Sequence, residues 1–329
     1  MAIRCCSCRS TLLLLLLVSA VPISIIVSLE HATWTSSPNR HHLRYRSLGL
    51  VRECAKWDAS GGRFLVSNFF GGGLAEVSDV DVGAPAERTL MREPDVAGNV
   101  SLGLVVDGGR SRVLVVFSDL FRHRYAAVGA YRLDNFERIF LTRLSGPEDE
   151  TSFADDVAVD SDGNAYVTDA KRNKIWKVGS GGALSSVIRS PLLERRKEWY
   201  HLVGLNGIVY HPNGYLLVVH TDGGDLFRVD TSTEEVTQVD VEGSILGGDG
   251  LELLSPTKIV VAAFRPSARL VESSDDWRTA TVTGTYSGPL HRVAAAATAK
   301  DGKVYVSHLF GGRSHVISEA VFSPLSSAK

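Results

Sequence analysis

The sequence predicts an all-β protein built from repeated units. Gly is frequent, with 31 of 329 residues, and the apolar runs are rich in Val, Leu and Tyr, a composition that favours strands joined by turns. Short β-type runs recur along the chain, whereas long helical periodicity is absent. Hydrophobic residues make up 44% of the chain, which is enough apolar material for a large core.

Each repeated unit contains a turn glycine, four or five β-favouring residues and a polar end. The clearest examples are GRFLVSN ending at Asn68, GNAYVTD ending at Asp169, GYLLVVH ending at His220 and GKVYVSH ending at His308. RVLVVFS (112–118) and KIVVAAF (258–264) fit less closely and complete a spacing of about 40 to 50 residues. Six such units predict a six-bladed β-propeller; the alternative is a β-sandwich or a pair of barrels.

The two ends of the predicted domain, residues 43–329, are suited to close the ring. LRYRSLGLV (43–51) and SHVISEAVF (314–322) are both β-type segments outside the regular units. Because an open propeller would expose a sheet edge, these segments are candidates to close the ring. Residues 30–42 are polar and are predicted to be a linker.

Residues 1–29 have the features of a signal peptide or a signal anchor. Arg4 and Arg9 precede an apolar run that extends to Leu29. Cleavage after Ala20 fits the small-residue pattern, while the same run is long enough to span a bilayer as an uncleaved membrane tether. Both alternatives predict the secretory pathway, with the folded part secreted or in the endomembrane lumen. Cys54 is the only Cys beyond this segment, so it has no intramolecular disulfide partner.

The net charge and the short motifs indicate which classes of binding partner we expect. The formal net charge is −2, which gives no electrostatic argument for nucleic-acid binding and leaves a small-molecule substrate as the expected partner. No protein partner can be inferred. Asn99-Val100-Ser101 is an N-glycosylation sequon that we expect in a polar loop.

Four oxygen-bearing residues share one position in the repeats. Counting back five residues from the position before the hairpin turn gives Glu53, Asp155, Asn206 and Asp249, and the same count gives Leu102 and Ala294 in the other two units. The first strand of each propeller blade begins beside the central channel, so we expect these side chains to converge. Three carboxylates there would resist ionisation unless a cation were bound.

Hard oxygen donors favour Ca²⁺, while Mg²⁺ or another divalent cation can use the same ligands. The alternative is that each Asp-Gly or Asn-Gly pair only turns or caps the chain.

The polar strand ends form a second set of candidates. Asn68, Asp169, His220 and His308 would all face the upper surface of the ring, where they could contact substrate. The alternative is that they are solvated or bonded to neighbouring loops.

Four stretches resemble a known family. ECAKWD, FADDVAVDSDGNAYVTD, GLNGIVY and GGDGLEL are similar to motifs of the regucalcin, gluconolactonase and luciferin-regenerating-enzyme family of six-bladed propellers, which is related to paraoxonases and strictosidine synthases. The resemblance spans roughly residues 45–322. It implies a central Ca²⁺ held by Glu53, Asp155, Asn206 and Asp249. The sequence departs from the family pattern at the ligand Asp155, where Asn is usual, and at the flanking residues Arg52, Leu205 and Gly248, where Gly, Ser and Pro are usual.

The resemblance also implies a reaction. The metal of this family acts as a Lewis acid on a carbonyl or phosphoryl oxygen, which implies hydrolysis of a lactone, ester or phosphotriester. Asp249 matches a carboxylate implicated as base or nucleophile, and Asp156 would contact the metal or orient its water.

Two alternatives remain: a non-catalytic propeller with structural Ca²⁺, and a strictosidine-synthase-like condensing enzyme. The condensing enzyme would need a late Glu, for which Glu252, Glu272 and Glu319 are available.

Overall fold

The computed structural model describes residues 42–78, 85–194, 202–289 and 292–325, together with Ser28. The rest of the predicted signal or anchor segment and of the linker lies outside the described residues, apart from His42. Within the four ranges the regular elements are β-strands and two short 3-10 helices, η1 (Pro94–Val96) and η2 (Gly108–Arg110). The all-β prediction is therefore confirmed. Among the described residues, no helix has the length and apolar character needed to cross a bilayer.

Three antiparallel sheets follow chain order, after an initial strand β1 (His42–Arg46) that belongs to the last sheet. The first contains β2 (Ala55–Asp58), β3 (Arg63–Asn68), β4 (Gly73–Ser78) and β5 (Arg88–Arg92). The second contains β6 (Val100–Asp107), β7 (Arg112–Ser118), β8 (Ala126–Arg132) and β9 (Arg138–Ser145). The third contains β10 (Ala154–Val159), β11 (Ala165–Asp169), β12 (Lys174–Val178) and β13 (Leu184–Ile188).

The next sheet has nine strands and consists of two antiparallel halves. One half contains β14 (Leu205–His211), β15 (Tyr215–His220), β16 (Asp225–Asp230) and β17 (Val236–Glu242). The other contains β18 (Gly248–Ser255), β19 (Lys258–Ala263), β20 (Ala268–Glu272) and β21 (Thr279–Tyr286). The halves join at their outer strands, where β17 and β21 pair in parallel, and β25 (Ser323–Pro324) adds to β21.

The last sheet joins the two ends of the described chain. It contains β22 (Ala294–Lys300), β23 (Lys303–His308) and β24 (Ser314–Glu319), and β1 pairs antiparallel with β24. The segments at 43–51 and 314–322 thus close the ring, as predicted, and they do so by pairing with each other. The edge that β24 would otherwise expose is covered, which removes a site for pairing with another chain.

The burial of each strand follows its position in its sheet. Strands β7 and β15 are buried at every residue, because both of their faces are covered by neighbouring sheets. Their sequences, RVLVVFS and YLLVVH, are accordingly near-continuous apolar runs. Outer strands such as β5 and β13 are largely exposed and carry mixed polar residues.

Apolar clusters fill the spaces between consecutive sheets around the ring. Leu65 and Leu74 of the first sheet pack with Val113 and Phe117 of the second, for example. A cluster that includes Tyr45, Phe64, Val66 and Ile317 joins the last sheet to the first. The first strands β2, β6, β10, β14, β18 and β22 contact one another in this cyclic order. The sheets therefore have a propeller-like arrangement around a central axis.

A β-bulge recurs near the start of the first strands. The pairing register shifts between Ser101 and Leu104, Ala154 and Val157, Leu205 and Ile208, Gly248 and Leu251, and Ala294 and Ala296. A bulge bends its strand and re-aims the extra side chains. We call the residues that the bulges redirect in this way the aimed residues. They are Leu102, Asp155, Asn206, Asp249 and Ala295. The sequence count that gave Ala294 was wrong by one residue, because Ala294 itself pairs with His308.

The residue after each aimed position packs against the next first strand. A Cβ on Gly207 would lie 2.2 Å from the carbonyl oxygen of Asp249 and 2.7 Å from the backbone nitrogen of Leu251. A Cβ on Gly250 would lie 2.6 Å from the carbonyl oxygen of Ala295. Glycine at these positions therefore permits backbone-to-backbone contact between neighbouring first strands.

Replacing Gly207 by Ala should destabilise the ring. The new methyl group meets backbone atoms that cannot rotate away, so β14 or β18 must shift, at a cost of about 1–3 kcal/mol in the free energy of unfolding. Urea denaturation measures this cost. Gly108→Ala is the control, since none of the described atoms lies within 4 Å of its added Cβ. Equal stability of the two variants would contradict this account of the bulge.

Candidate metal centre

The four predicted metal ligands lie at equivalent places at the start of the first strands. Asp155, Asn206 and Asp249 occupy the bulges of β10, β14 and β18. Glu53 precedes β2, and the next residue, Cys54, is held by two bonds to Ser67: Cys54 N donates to Ser67 Oγ at 2.9 Å, and Ser67 N donates to Cys54 O at 3.0 Å. Because of these bonds, Glu53 lies at the start of its first strand in the same way as the three bulge residues lie at the start of theirs. Glu53, Asp155 and Asn206 are buried, and Asp249 is half-buried.

The three carboxyl groups are close enough to influence one another. Burial raises the pKa of Glu53 well above its usual value, and the charges of Asp249 and Asp155 raise it further. Burial followed by the charge of Asp249 likewise raises the pKa of Asp155. These groups would therefore share protons at neutral pH unless a positive charge were bound near them.

Asp249 is linked directly to the amide in the group. Burial, followed by the charge of Asp156, raises the pKa of Asp249 to about 8, while hydrogen bonds from the Asn206 side chain and the Gly250 backbone act in the opposite direction. The side chains of Asn206 and Asp249, from adjacent first strands, are thus in contact.

Two buried oxygen atoms of this group have no hydrogen-bond partner among the described residues. They are Glu53 Oε2 and Asn206 Oδ1. Unpaired buried oxygens are uncommon because they lose their hydration without compensation. A cation is one way to satisfy both, and the donor set of carboxylates and an amide oxygen suits Ca²⁺. Among the described residues, however, no three His, Cys, Asp or Glu side chains are placed to hold a metal ion by themselves.

Asp156 faces a different direction from its neighbour Asp155. Its Oδ1 accepts a hydrogen bond from its own neighbour Val157 N at 2.8 Å, and its Oδ2 accepts one from Ile208 N at 3.3 Å. Burial raises its pKa to about 6 despite the nearby charge of Lys56. Asp156 lines a cavity of about 270 Å³ that runs along the first strands. Gly103 lets β6 approach, since a Cβ there would lie 2.2 Å from Asp156 Oδ1.

The sequence analysis missed a half-buried lysine in the same cavity. Lys56 Nζ lies 2.8 Å from Glu252 Oε2 and donates to the carbonyl oxygens of Leu251 and Ala297 at 3.1 and 2.8 Å. Its positive charge lowers the pKa of both Glu53 and Asp156. The sequence feature that could have revealed it is a charged residue within the apolar alternation of β2, three residues after Glu53. Lys56 partly neutralises the acidic group.

The four polar strand ends have different surroundings. Asp169 is fully buried, and its Oδ1 accepts hydrogen bonds from Phe153, Lys171 and Arg172 backbone nitrogens at 3.0 Å. This is a loop-capping arrangement. His220 Nδ1 accepts from Gly223 N at 2.9 Å.

The other two strand ends are also buried. His308 Nδ1 lies 3.3 Å from Val316 O. Of the four, only Asn68 lines a larger cavity beside the ring closure. The loop-bonded alternative therefore describes Asp169 and His220 best, and a role in substrate contact stays a prediction for all four.

The acceptor residue of the glycosylation sequon lies in a loop, as expected, whereas the rest of the sequon belongs to a strand. Asn99 is half-buried and directly precedes β6, in which Val100 and Ser101 are buried. The expectation holds for Asn99 but not for Val100 and Ser101, because the loop leads directly into the first strand β6. Modification of Asn99 stays a prediction.

Comparisons with known proteins agree with the fold. Neither a protein-family model nor a curated protein sequence matches the chain. Among solved structures, the major allergen Mala s 1 of Malassezia sympodialis aligns with a TM-score of 0.69 and 15% identity, over 85% of this chain and 96% of the allergen. A luciferin-regenerating enzyme aligns with a TM-score of 0.56 and 13% identity, over 88% of this chain and 98% of the enzyme.

A third similar structure is a virginiamycin B lyase from Staphylococcus aureus, determined in a catalytically inactive form with quinupristin. It aligns with a TM-score of 0.54 and 11% identity, over 84% of this chain and 82% of the lyase. At these identities the likeness shows the fold alone. The chain thus has the propeller-type fold found in luciferin-regenerating enzyme, which confirms the resemblance predicted from its motifs at the level of structure.

Proposed function

We propose that the chain is a six-bladed β-propeller that hydrolyses a lactone, ester or phosphotriester with the help of Ca²⁺. Counting by first strands supports six blades, since the nine-stranded sheet then contains two blades joined at their outer strands. The observation that carries the functional proposal is the group of three buried or half-buried carboxyls and one amide with unpaired oxygens at the axis.

The proposed ligands are Glu53, Asp155, Asn206 and Asp249. Carboxylate and amide oxygens match the preference of Ca²⁺, and Mg²⁺ or another divalent cation can use the same set. Because the described carboxyls do not form a three-residue metal group by themselves, the amide of Asn206 and water must complete the coordination. A bound divalent cation would supply Lewis-acid polarisation of a carbonyl or phosphoryl oxygen of the substrate.

The chain's own acid–base groups are Asp249 and Asp156. Asp249 is proposed as the base or nucleophile, because its half-buried side chain is the most accessible carboxyl of the group. Asp156 is proposed to orient water or substrate, since two backbone N–H groups hold its carboxyl in one position. Substrate contact at the strand ends is proposed for Asn68, Asp169, His220 and His308.

Two other functions are less well supported. A condensing enzyme needs a free Glu late in the chain, yet Glu252 pairs with Lys56, Glu272 with Lys258 and Glu319 with Lys303. A non-catalytic propeller with structural Ca²⁺ uses the same ligands as the hydrolase. Turnover therefore separates this second possibility from the first.

The location and partners proposed for the chain rest on its sequence. The apolar segment within residues 1–29 supports the secretory pathway, with the propeller either secreted or tethered in the endomembrane lumen. The expected partner is a small molecule, and the near-neutral net charge gives no support for nucleic acid.

Removing one proposed ligand should weaken Ca²⁺ binding at least tenfold. Glu53→Gln and Asn206→Ala each take away an oxygen that is buried without a partner, and calorimetric titration measures the loss. Asp134→Asn is the control, because it removes an acidic charge from a surface position with a 69% exposed side chain. The metal proposal is wrong if the wild-type protein binds no Ca²⁺ with a dissociation constant below about 10⁻³ M.

Metal-free protein should lose stability as the pH rises from about 5 to about 9. The pKa of Asp249 is raised to about 8 and those of Glu53 and Asp155 are also raised, whereas unfolded carboxyls ionise near about pH 4. The folded state then holds more protons in this window, so the free energy of unfolding falls with pH until the folded groups have ionised. Urea denaturation at a series of pH values in a chelator measures the fall.

Two controls accompany the pH series. Asp249→Asn should flatten the curve, and Ca²⁺ should do the same in the wild type because it stabilises the ionised carboxylates. The lowered pKa values of His123 and His315 act in the opposite direction and cancel in the comparison between variants. A wild-type curve as flat as that of the variant would contradict the shared burial of these carboxyls.

Hydrolysis is tested with lactones, aryl esters and phosphotriesters in the presence of Ca²⁺. The proposal expects turnover of at least one class, and a loss of about 100-fold or more in kcat for Asp249→Asn when it is measured at a Ca²⁺ concentration that saturates the variant. Absence of turnover by metal-loaded wild type across all three classes would instead support the non-catalytic propeller.

A further inference from the structure

A second cavity, distinct from the one on the axis, lies beside the ring closure. Its volume is about 760 Å³, within the range of small-molecule pockets. It lies between the end of β1, the segment that leads to Glu53, and strand β5. Asn68 at the end of β3 also lines it, so the cavity is on the same face of the ring as the candidate metal centre.

The walls of this cavity are held by backbone bonds. Arg46 N donates to Pro85 O at 2.9 Å, and Glu87 N donates to Arg46 O at 2.9 Å. On the opposite side, Arg52 N donates to Leu309 O at 2.8 Å. These bonds connect β1 and the segment after it to both the first and the last sheet. The cavity is therefore part of the structure that closes the ring.

The charge of the cavity is positive. Arg52 and Glu87 form a buried two-bond ion pair, with Nε to Oε2 at 2.7 Å and Nη2 to Oε1 at 2.6 Å, and so neutralise each other. Three further guanidinium groups line the cavity: Arg46, Arg92 and Arg313. All three are exposed, and none of them forms a side-chain hydrogen bond or ion pair with another described residue.

A buried amide adds a polar group to the same wall. Asn68 is only 7% exposed, and its side chain forms no hydrogen bond with the described residues. A buried amide that lines a cavity without a partner is suited to bind a polar atom of a ligand. Its place next to the three guanidinium groups favours an acceptor such as an acid oxygen.

The cavity also has an apolar side. Leu48, Leu50 and Phe70 line it and are strongly exposed, at 101%, 65% and 56%. Large apolar side chains that cluster at the surface beside polar groups mark binding sites more often than isolated ones do. The cavity thus combines cationic groups with an apolar surface.

We propose that this cavity binds an organic anion that has one acidic group and an apolar body. The acidic group would be held by Arg46, Arg92 and Arg313, whose planar guanidinium groups match acid oxygens, and by the amide of Asn68. The apolar body would lie on Leu48, Leu50 and Phe70. This inference goes beyond the hydrolytic function and stands without it, because it requires neither a metal ion nor a reaction.

The test uses a matched pair of fluorescent probes. 8-Anilinonaphthalene-1-sulfonate has an acid group on an apolar body, and N-phenyl-1-naphthylamine is its uncharged analogue. Wild-type protein should bind the sulfonate saturably at one site. The variant Arg46→Gln/Arg92→Gln/Arg313→Gln should bind it at least tenfold more weakly, while its affinity for the uncharged probe is unchanged.

A second triple variant controls for net charge. Arg122→Gln/Arg132→Gln/Arg278→Gln removes the same charge from exposed positions outside the cavity and should bind the sulfonate like the wild type. Thermal unfolding confirms that both variants are folded. The proposal is overturned if the cavity variant binds the sulfonate as wild type does, if both triple variants weaken it equally, or if folded wild type shows no saturable site.

Discussion

Close backbone contact between the first strands is the constraint on which the rest of the structure depends. The six first strands meet around one axis, and their bulges are nearly in contact, since a Cβ added at Gly207 or Gly250 would overlap the backbone of the next first strand. Each bulge therefore contains two kinds of position. One carries a small residue or a residue that makes a specific contact with the next first strand, and the other directs its side chain toward the axis. Asp156 is the exception at the small position, and it is tolerated because Gly103 makes room for it and Ile208 N bonds it.

The same constraint creates the electrostatic problem at the axis. Aimed positions from different sheets come together whatever residues they carry, so Glu53, Asp155 and Asp249 meet in surroundings that exclude most water. Lys56 offsets part of the negative charge, but it is already bonded to Glu252 and two carbonyl oxygens. One paired lysine cannot balance three carboxylates, and this imbalance supports the proposal of a bound divalent cation.

Local sequence pattern was enough to predict most of the fold. The turn glycines, the β-type runs and their spacing predicted the repeated sheets. The unpaired segments at the two ends predicted ring closure, which the structure achieves by pairing β1 with β24. The register of the aimed residues was predictable because each first strand has a similar length before its hairpin. The predicted register was wrong in β22, where the aimed residue is Ala295 and not Ala294. The reason is that β22 continues to Lys300 before its turn.

The partners of side chains were harder to predict, because they depend on contacts between distant sheets. Lys56 bonds to Glu252 in β18, 196 positions away, and to Ala297 in β22, 241 positions away, and no local pattern encodes these contacts. The sequence also gave no sign that Oδ1 of Asp169 caps the loops beside its own strand. The cavity beside the ring closure was also not predicted, since it needs β1, β5 and the last sheet to come together.

The most direct test of the central claim is a crystal structure of the protein grown with Ca²⁺, with anomalous scattering used to locate the ion. The account predicts one ion on the axis, with oxygens of Glu53, Asp155, Asn206 and Asp249 at about 2.3–2.6 Å. An axis without an ion at saturating Ca²⁺, with the carboxyls bonded to one another or to Lys56, would contradict it.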